Sequence, residues 1–242
     1  MLYRVIDADD LPSLIRAFMD SYELVAPVAH GQGYIFDVIE DPNDVVLDYP
    51  TTMASPKKYF LPSEETLFKF DVAENDVVDF ELDVKPRVLF GVHPCDLNAI
   101  ERLDAVFLDS RYCDPYYRAR REATLIVGVG CTPTASCFCH RVDADEAPRG
   151  YDLFLQDLGD RYWVSISSVA AAEILEESTH LREATDDDRA AFGAATHRRT
   201  AAFDDSIPHV QDIAMLMDTY HSDSFWAEIG SRCLNCTACA AV

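Results

Sequence analysis

Two short stretches decide the fold: Arg87-Val-Leu-Phe-Gly-Val92 and Thr124-Leu-Ile-Val-Gly-Val129. Each is a continuous apolar run without alternation, the pattern of a strand covered on both faces in a parallel sheet. Between them Leu97, Ile100, Leu103 and Phe107 recur at helical spacing, with Asp96 placed to cap the helix start. Strand, helix and strand make a right-handed crossover unit, so the two strands should lie parallel with their carboxyl ends side by side.

Upstream, Leu11, Leu14, Ile15, Phe18, Met19 and Tyr22 predict an amphipathic helix after Asp10, with Pro12 in its first turn. Runs at 24–28, 34–39 and 45–47 predict a small antiparallel meander, and Ser63 to Phe70 a short helix with first-turn acids. Downstream, residues 151–155 and 161–167 flank a Leu-Gly-Asp turn as a hairpin, and Ala170 to Glu177 predicts a helix. Residues 183–205, with Asp186, Asp187 and Asp188 together, show little periodicity and are the best candidate for a boundary. Beyond them Val210, Ile213, Ala214, Met217 and Tyr220 predict one helix, and Phe225, Trp226 and Ile229 a shorter one with an apolar face to dock on the body.

Composition sets the limits. The chain has 242 residues, 49% of them hydrophobic, enough for a real core. Its 43 acidic and 20 basic side chains give a formal charge of −23, the wrong sign for a phosphate backbone, so no nucleic-acid partner is expected. The acid excess fits either a salt-adapted surface or a docking face for a basic partner. No apolar run approaches the roughly 20 residues of a spanning helix, so no membrane span is expected. The chain should stay in the cytoplasm, where its eight cysteines are reduced and their clustering calls for metal or catalysis.

The cysteines form two groups. At the end stand Cys233-Leu-Asn-Cys236-Thr-Ala-Cys239, two consecutive C-x-x-C steps that can wrap one face of a [4Fe–4S] cubane. A zinc site, which pairs two such steps at a distance, fits this run poorly. The ferredoxin pattern would place a fourth cysteine at position 243, so the chain is expected to be truncated. The second group follows the two core strands: Cys95 after the first, Cys131 after the second, and Cys137 and Cys139 in the next loop. Neighbouring carboxyl ends would let these four sulfurs converge on another cluster, beside a helix amino terminus that favours negative charge. The alternatives are a core cysteine at Cys95 with a redox-active or zinc-binding Cys137/Cys139 pair. Cys113 stands apart and is read as a non-ligand. His93 and His140 flank the group as polar neighbours able to hydrogen-bond to sulfur or replace a ligand. Lys57 and Lys58 are read as a solvated loop. No G-x-G-x-x-G after a strand, no phosphate-cradling loop and no Ser-His-Asp set is supported by spacing.

The segments Pro50 to Phe70 (PTTMASPKKYFLPSEETLFKF), Phe90 to Leu108 (FGVHPCDLNAIERLDAVFL), Asp114 to Cys139 (DPYYRARREATLIVGVGCTPTASCFC) and Arg232 to Cys239 resemble the iron–sulfur electron-transfer subunits of anaerobic sulfite reductase and of cytoplasmic NiFe sulfhydrogenases. The resemblance runs through nearly the whole chain. It implies a protein without substrate chemistry, relaying electrons between a flavin-containing NAD(P)H subunit and a catalytic reductase or hydrogenase subunit. It also implies an α-helical ferredoxin part with two [4Fe–4S] clusters, with Cys233, Cys236 and Cys239 as ligands and Cys95, Cys131, Cys137 and Cys139 matching the amino-terminal cysteine pattern. Family members continue into a Cys-Pro and a second cysteine run.

The expected fold is therefore α+β. A mixed α/β domain over residues 1–205 is followed, over 206–242, by the start of a helical ferredoxin-like domain. A stand-alone cysteine-dependent oxidoreductase or a zinc-binding protein is the alternative function.

Overall fold

The computed structural model describes residues 2–78, 82, 84–108, 111–176, 180–204, 206 and 210–234. In chain order its elements are β1 (Leu2–Asp7), α1 (Leu11–Met19), β2 (Glu23–His30), β3 (Gly33–Val38), β4 (Lys69–Asp71), β5 (Asp76–Val78), β6 (Arg87–Val92), α2 (Pro94–Phe107), α3 (Pro115–Glu122), β7 (Thr124–Val129), β8 (Leu153–Asp157), β9 (Arg161–Ile166), α4 (Val169–Glu176), β10 (Arg182–Glu183), α5 (Asp186–Ala201), α6 (Val210–Thr219) and α7 (Phe225–Ser231). Eight strands form one sheet in the order β10-β1-β9-β8-β7-β6-β2-β3, and β4 pairs with β5 alone. The fold is α+β, as expected.

The two apolar runs are the parallel neighbours β6 and β7, with Val88 opposite Leu125 and Leu89 opposite Ile126. β2 joins β6 in parallel on one side and β8 joins β7 in parallel on the other. Their side chains divide between two cores. Val88, Phe90, Val127 and Val129 pack with Leu14, Ile15 and Phe18 of α1. Leu89, Val92 and Ile126 pack on the opposite face with Leu97 and Ile100 of α2 and Tyr117 of α3. Alternation alone would send Val92 to the same face as Phe90. A register shift between Phe90 and Val92, with Gly91 at φ +81°, turns it to the other. A Cβ at Gly91 would meet Leu47 Cδ2 at 2.9 Å and Pro27 Cδ at 3.1 Å, so this glycine is required by both conformation and space.

Several sequence expectations are corrected. The meander is a two-stranded hairpin, β2 with β3, inside the main sheet. Pro27 in β2 has no N–H to continue a ladder, and the run at 45–47 contributes one bond there, Val46 N–H to the Pro27 carbonyl at 2.9 Å. Ser63 to Phe70 is not a helix but an irregular segment ending in β4. Leu67, Phe68 and Phe70 are all exposed, so no buried face offsets helix nucleation. Residues 2–7 and 115–122, assigned to no element from sequence, form a strand inside the sheet and a helix whose cap is the Asp114 carboxylate. Asp96 does not cap α2. Pro94 occupies the first turn and fixes His93 as the cap residue.

The largest correction lies within 183–205, where Asp186–Ala201, read from sequence as showing little periodicity, form the helix α5. Thr185 and Asp188 form a reciprocal capping box at its start. The buried Asp188 carboxylate also accepts from Arg161 Nε at 2.7 Å and Arg182 Nη1 at 2.6 Å. Phe192 then packs on Trp163 of β9, their centroids 5.0 Å apart, which lays α5 on the α2/α3 side of the sheet.

Candidate metal centre

Because β6 and β7 are parallel neighbours, the segments leaving their carboxyl ends start side by side. His93 leaves β6 extended, and Cys95 follows Pro94 in the first turn of α2. Gly130 leaves β7, its N–H held by the Leu155 carbonyl at 2.8 Å, and Cys131 comes next. A Cβ at Gly130 would lie 2.1 Å from Gln156 Oε1, the end of a flexible side chain that would have to move aside. The following loop closes on itself: Cys137 N–H donates to the Thr134 carbonyl at 3.0 Å, and Thr134 N–H lies 3.3 Å from Cys137 Sγ. Cys139 begins a single 3-10 turn ending at Val142.

All four cysteines line one cavity of about 360 Å³, together with Tyr49, His93, Asp96 and Phe203. Their electrostatics show the same convergence. Burial pushes the Cys95 thiol up to about 12, helped by Asp96, Cys139 and Cys131. Burial pushes Cys139 up to about 11, helped by Cys131 and Cys137. Cys131 is also raised by burial, but Arg199 opposes that rise with its charge. Among the described residues no group of three or more His, Cys, Asp or Glu is close enough to hold a metal ion. A tetrahedral ion draws four sulfurs to about 2.3 Å from one point. A cubane gives each thiolate its own iron corner and accepts a wider spread. Four thiols around one cavity are a donor set of the kind that holds iron–sulfur clusters.

The terminal group lies differently. Cys233 follows α7 and is exposed, and Cys236 and Cys239 lie outside the described residues. The expected docking of α7 on the body, with these sulfurs turned inward, is not observed for Cys233. Phe225, Trp226 and Ile229 stay partly open, and Trp226 donates through Nε1 to the Tyr220 carbonyl at the end of α6 at 2.7 Å. Ile213, Leu216 and Met217 of α6 and Phe225 and Trp226 of α7 line one apolar groove between the two helices.

Tyr49, Ser55 and Phe203, which sequence reasoning passed over, join His93, Asp96, Lys57 and His140 around the strand-end site. Tyr49, buried, donates to the Gly91 carbonyl at 2.8 Å and stacks on His93, with centroids 4.0 Å apart. His93 is itself buried, its Nε2 has no hydrogen-bond partner, and burial lowers its pKa to about 4, so the ring is neutral. Ser55 donates to Asp96 Oδ1 at 2.6 Å. Lys57, read from sequence as solvated, is buried within electrostatic reach of Asp96, and Lys58 donates to the Phe36 carbonyl at 2.9 Å. The clue to Lys57 was its place among Pro50, Pro56 and Pro62, which bend the segment back over the strand ends. His140 stacks on Phe203, just beyond α5, at 4.4 Å. Cys113 is half-buried and is not among the residues lining the cavity.

Over 243 aligned positions the chain is 32% identical to the sulfhydrogenase 2 subunit beta of Pyrococcus furiosus, covering 100% of this chain and 71% of that protein. The chain belongs to the sulfhydrogenase β-subunit family. No family model matches it, and no solved structure does. For this member of the family, no helix among the described residues is long and apolar enough to cross a membrane.

Proposed function

We propose that this β subunit is an iron–sulfur electron-transfer protein of a hydrogenase-type oxidoreductase complex, without substrate chemistry of its own. The observation that carries the proposal is the convergence of Cys95, Cys131, Cys137 and Cys139 on one cavity at the carboxyl ends of β6 and β7. In this reading they hold one [4Fe–4S] cluster, and Cys233, Cys236 and Cys239 contribute to a second in a helical ferredoxin-like part over 206–242. A bound cluster supplies a reversible one-electron store. The chain's residues do the rest. The cysteines give up their protons on ligation, Tyr49 and Phe203 wall the site, and Asp96, Lys57 and Arg199 set its local charge.

The electrons would pass between a flavin-containing NAD(P)H-oxidising subunit and a catalytic subunit of the NiFe hydrogenase or sulfite reductase type, in the cytoplasm. The relative's name, a subunit of sulfhydrogenase 2, supports partner subunits and a hydrogenase-type complex. A dithiol enzyme built on Cys137 and Cys139 would need at least one thiol with a depressed pKa. Burial instead drives Cys139 upward.

Anaerobic reconstitution of the full chain with iron and sulfide tests this. The expected product absorbs broadly in the visible and gives an EPR signal on reduction, and Cys95→Ser lowers its iron by about four atoms per chain. A colourless protein, or Cys95→Ser with wild-type iron, overturns the assignment.

A further inference from the structure

α5 brings one cation into the cysteine site. Arg199, in its last turn, has a side chain only 9% exposed in a chain of net charge −23. Its guanidinium lies within electrostatic reach of the Cys131 thiol, and the two residues line one pocket together. The same group donates to the Asp145 carbonyl and pairs with the carboxylates of Asp145 at 3.8 Å and Glu146 at 3.5 Å. A guanidinium presents five N–H donors in a rigid plane, so one side chain can reach three acceptors and fix their mutual positions. The 145–146 loop is tied to the cysteine loop again by Ala144 N–H to the Cys139 carbonyl at 2.9 Å. Arg199 thus bridges the segment after β7 and the far end of the cysteine loop.

We propose that Arg199 is the positioning residue of this site: it orients the Cys131 sulfur, clamps the 144–146 loop beside Cys139, and holds the reduction potential of the bound cluster up. The last part rests on the cluster reading above. Reduction adds one negative charge, and a buried cation beside a ligand sulfur stabilises the reduced state more than the oxidised one. Asp96 on the other side works in the opposite sense, so removing Arg199 leaves the acidic surroundings unopposed near Cys131.

The test uses the full chain carrying Cys233→Ser, so that EPR reports the strand-end site, in wild-type, Arg199→Gln and Arg199→Lys forms. Iron content, midpoint potential from an EPR-monitored redox titration, and amide exchange of the metal-free protein are read together. Arg199→Gln should shift the midpoint downward and speed exchange at 144–146, and Arg199→Lys should recover part of the potential but less of the protection, since it keeps the charge and loses the fork. An unchanged midpoint in a fully loaded Gln variant overturns the electrostatic role, and unchanged exchange overturns the clamp. If Cys95→Ser retains wild-type iron, the cluster reading itself falls. Exchange in the metal-free chain then still decides the clamp. Should Arg199→Gln fail to fold, the Lys variant carries both readouts.

Discussion

The two cysteine groups of this chain are built in opposite ways. Cys233, Cys236 and Cys239 are neighbours in sequence, so their proximity costs little loop closure, but the helix before them is seven residues long and exposed throughout. Cys95, Cys131, Cys137 and Cys139 span 45 positions and meet only because β6 and β7 are parallel neighbours in a two-faced core. The compact motif is legible without a fold, but Cys233, its one described cysteine, gains no burial from it. The dispersed set is legible only through the topology that the two apolar runs imply, and in the structure it gains a shared cavity, a neutral histidine and a nearby buried arginine.

Resistance to metal loss should separate the two most strongly. We expect a chelator to strip iron associated with Cys233 quickly and that in the strand-end cavity slowly, in two resolved phases. Cys131→Ser should abolish only the slow phase and Cys233→Ser only the fast one. A single phase, or the reverse assignment, would break the contrast at its root.

Glycine substitutions probe the same difference through the backbone. Gly91→Ala forces an L side chain to φ +81° and against Leu47 and Pro27, and should cost about 2–3 kcal/mol in denaturant unfolding while lowering strand-end iron. Gly230→Ala in α7 meets nothing within 4 Å. It should leave unfolding of the body unchanged and raise local helicity by about 0.5–1 kcal/mol at most. Equal effects at the two positions would mean that the β6 bulge does not matter to the site.

How far the sequence led can be judged from these elements. β6, β7 and α2 were legible because a continuous apolar run and a 3.6-residue period are local signals. The convergence of the four cysteines followed from the handedness of one crossover. Arg199 was not legible, since α5 is weakly amphipathic and its Asp186-Asp187-Asp188 start looks like a solvated linker until Arg161 and Arg182 arrive from other segments. Ser63 to Phe70 misled for the converse reason: local capping chemistry was present, but no tertiary surface received the helix.

Asp188 gives the body a pH dependence of its own. Hydrogen bonds from Arg182, Thr185 and Arg161 hold its carboxyl well below the usual carboxylate range. With the folded value depressed, its stabilisation is complete above the unfolded value of about 3.9 and is lost as pH falls below that toward the folded value. Asp188→Asn should therefore destabilise the body by about 2 kcal/mol at pH 7, and the gap from wild type should narrow below pH 4. A gap constant from pH 7 to pH 3 would show that the carboxylate charge contributes nothing.

The smallest effect is expected at the other end of the comparison. Arg232 and Glu228 face each other at 4.0 Å across one turn at the end of α7, both largely in solvent. Exposed pairs at this spacing contribute about 0.3–0.5 kcal/mol, less in salt, because water screens the attraction and ordering two long side chains costs entropy. Glu228→Gln should then leave the melting temperature of the body, its strand-end iron and the slow chelation phase as they are, and alter the fast phase by less than a factor of two. Were Glu228→Gln to lower the body's melting temperature as Asp188→Asn does, α7 would be coupled to the core. The contrast between a terminal segment that stands off the body and a strand-end cavity formed by the fold would then have to be abandoned.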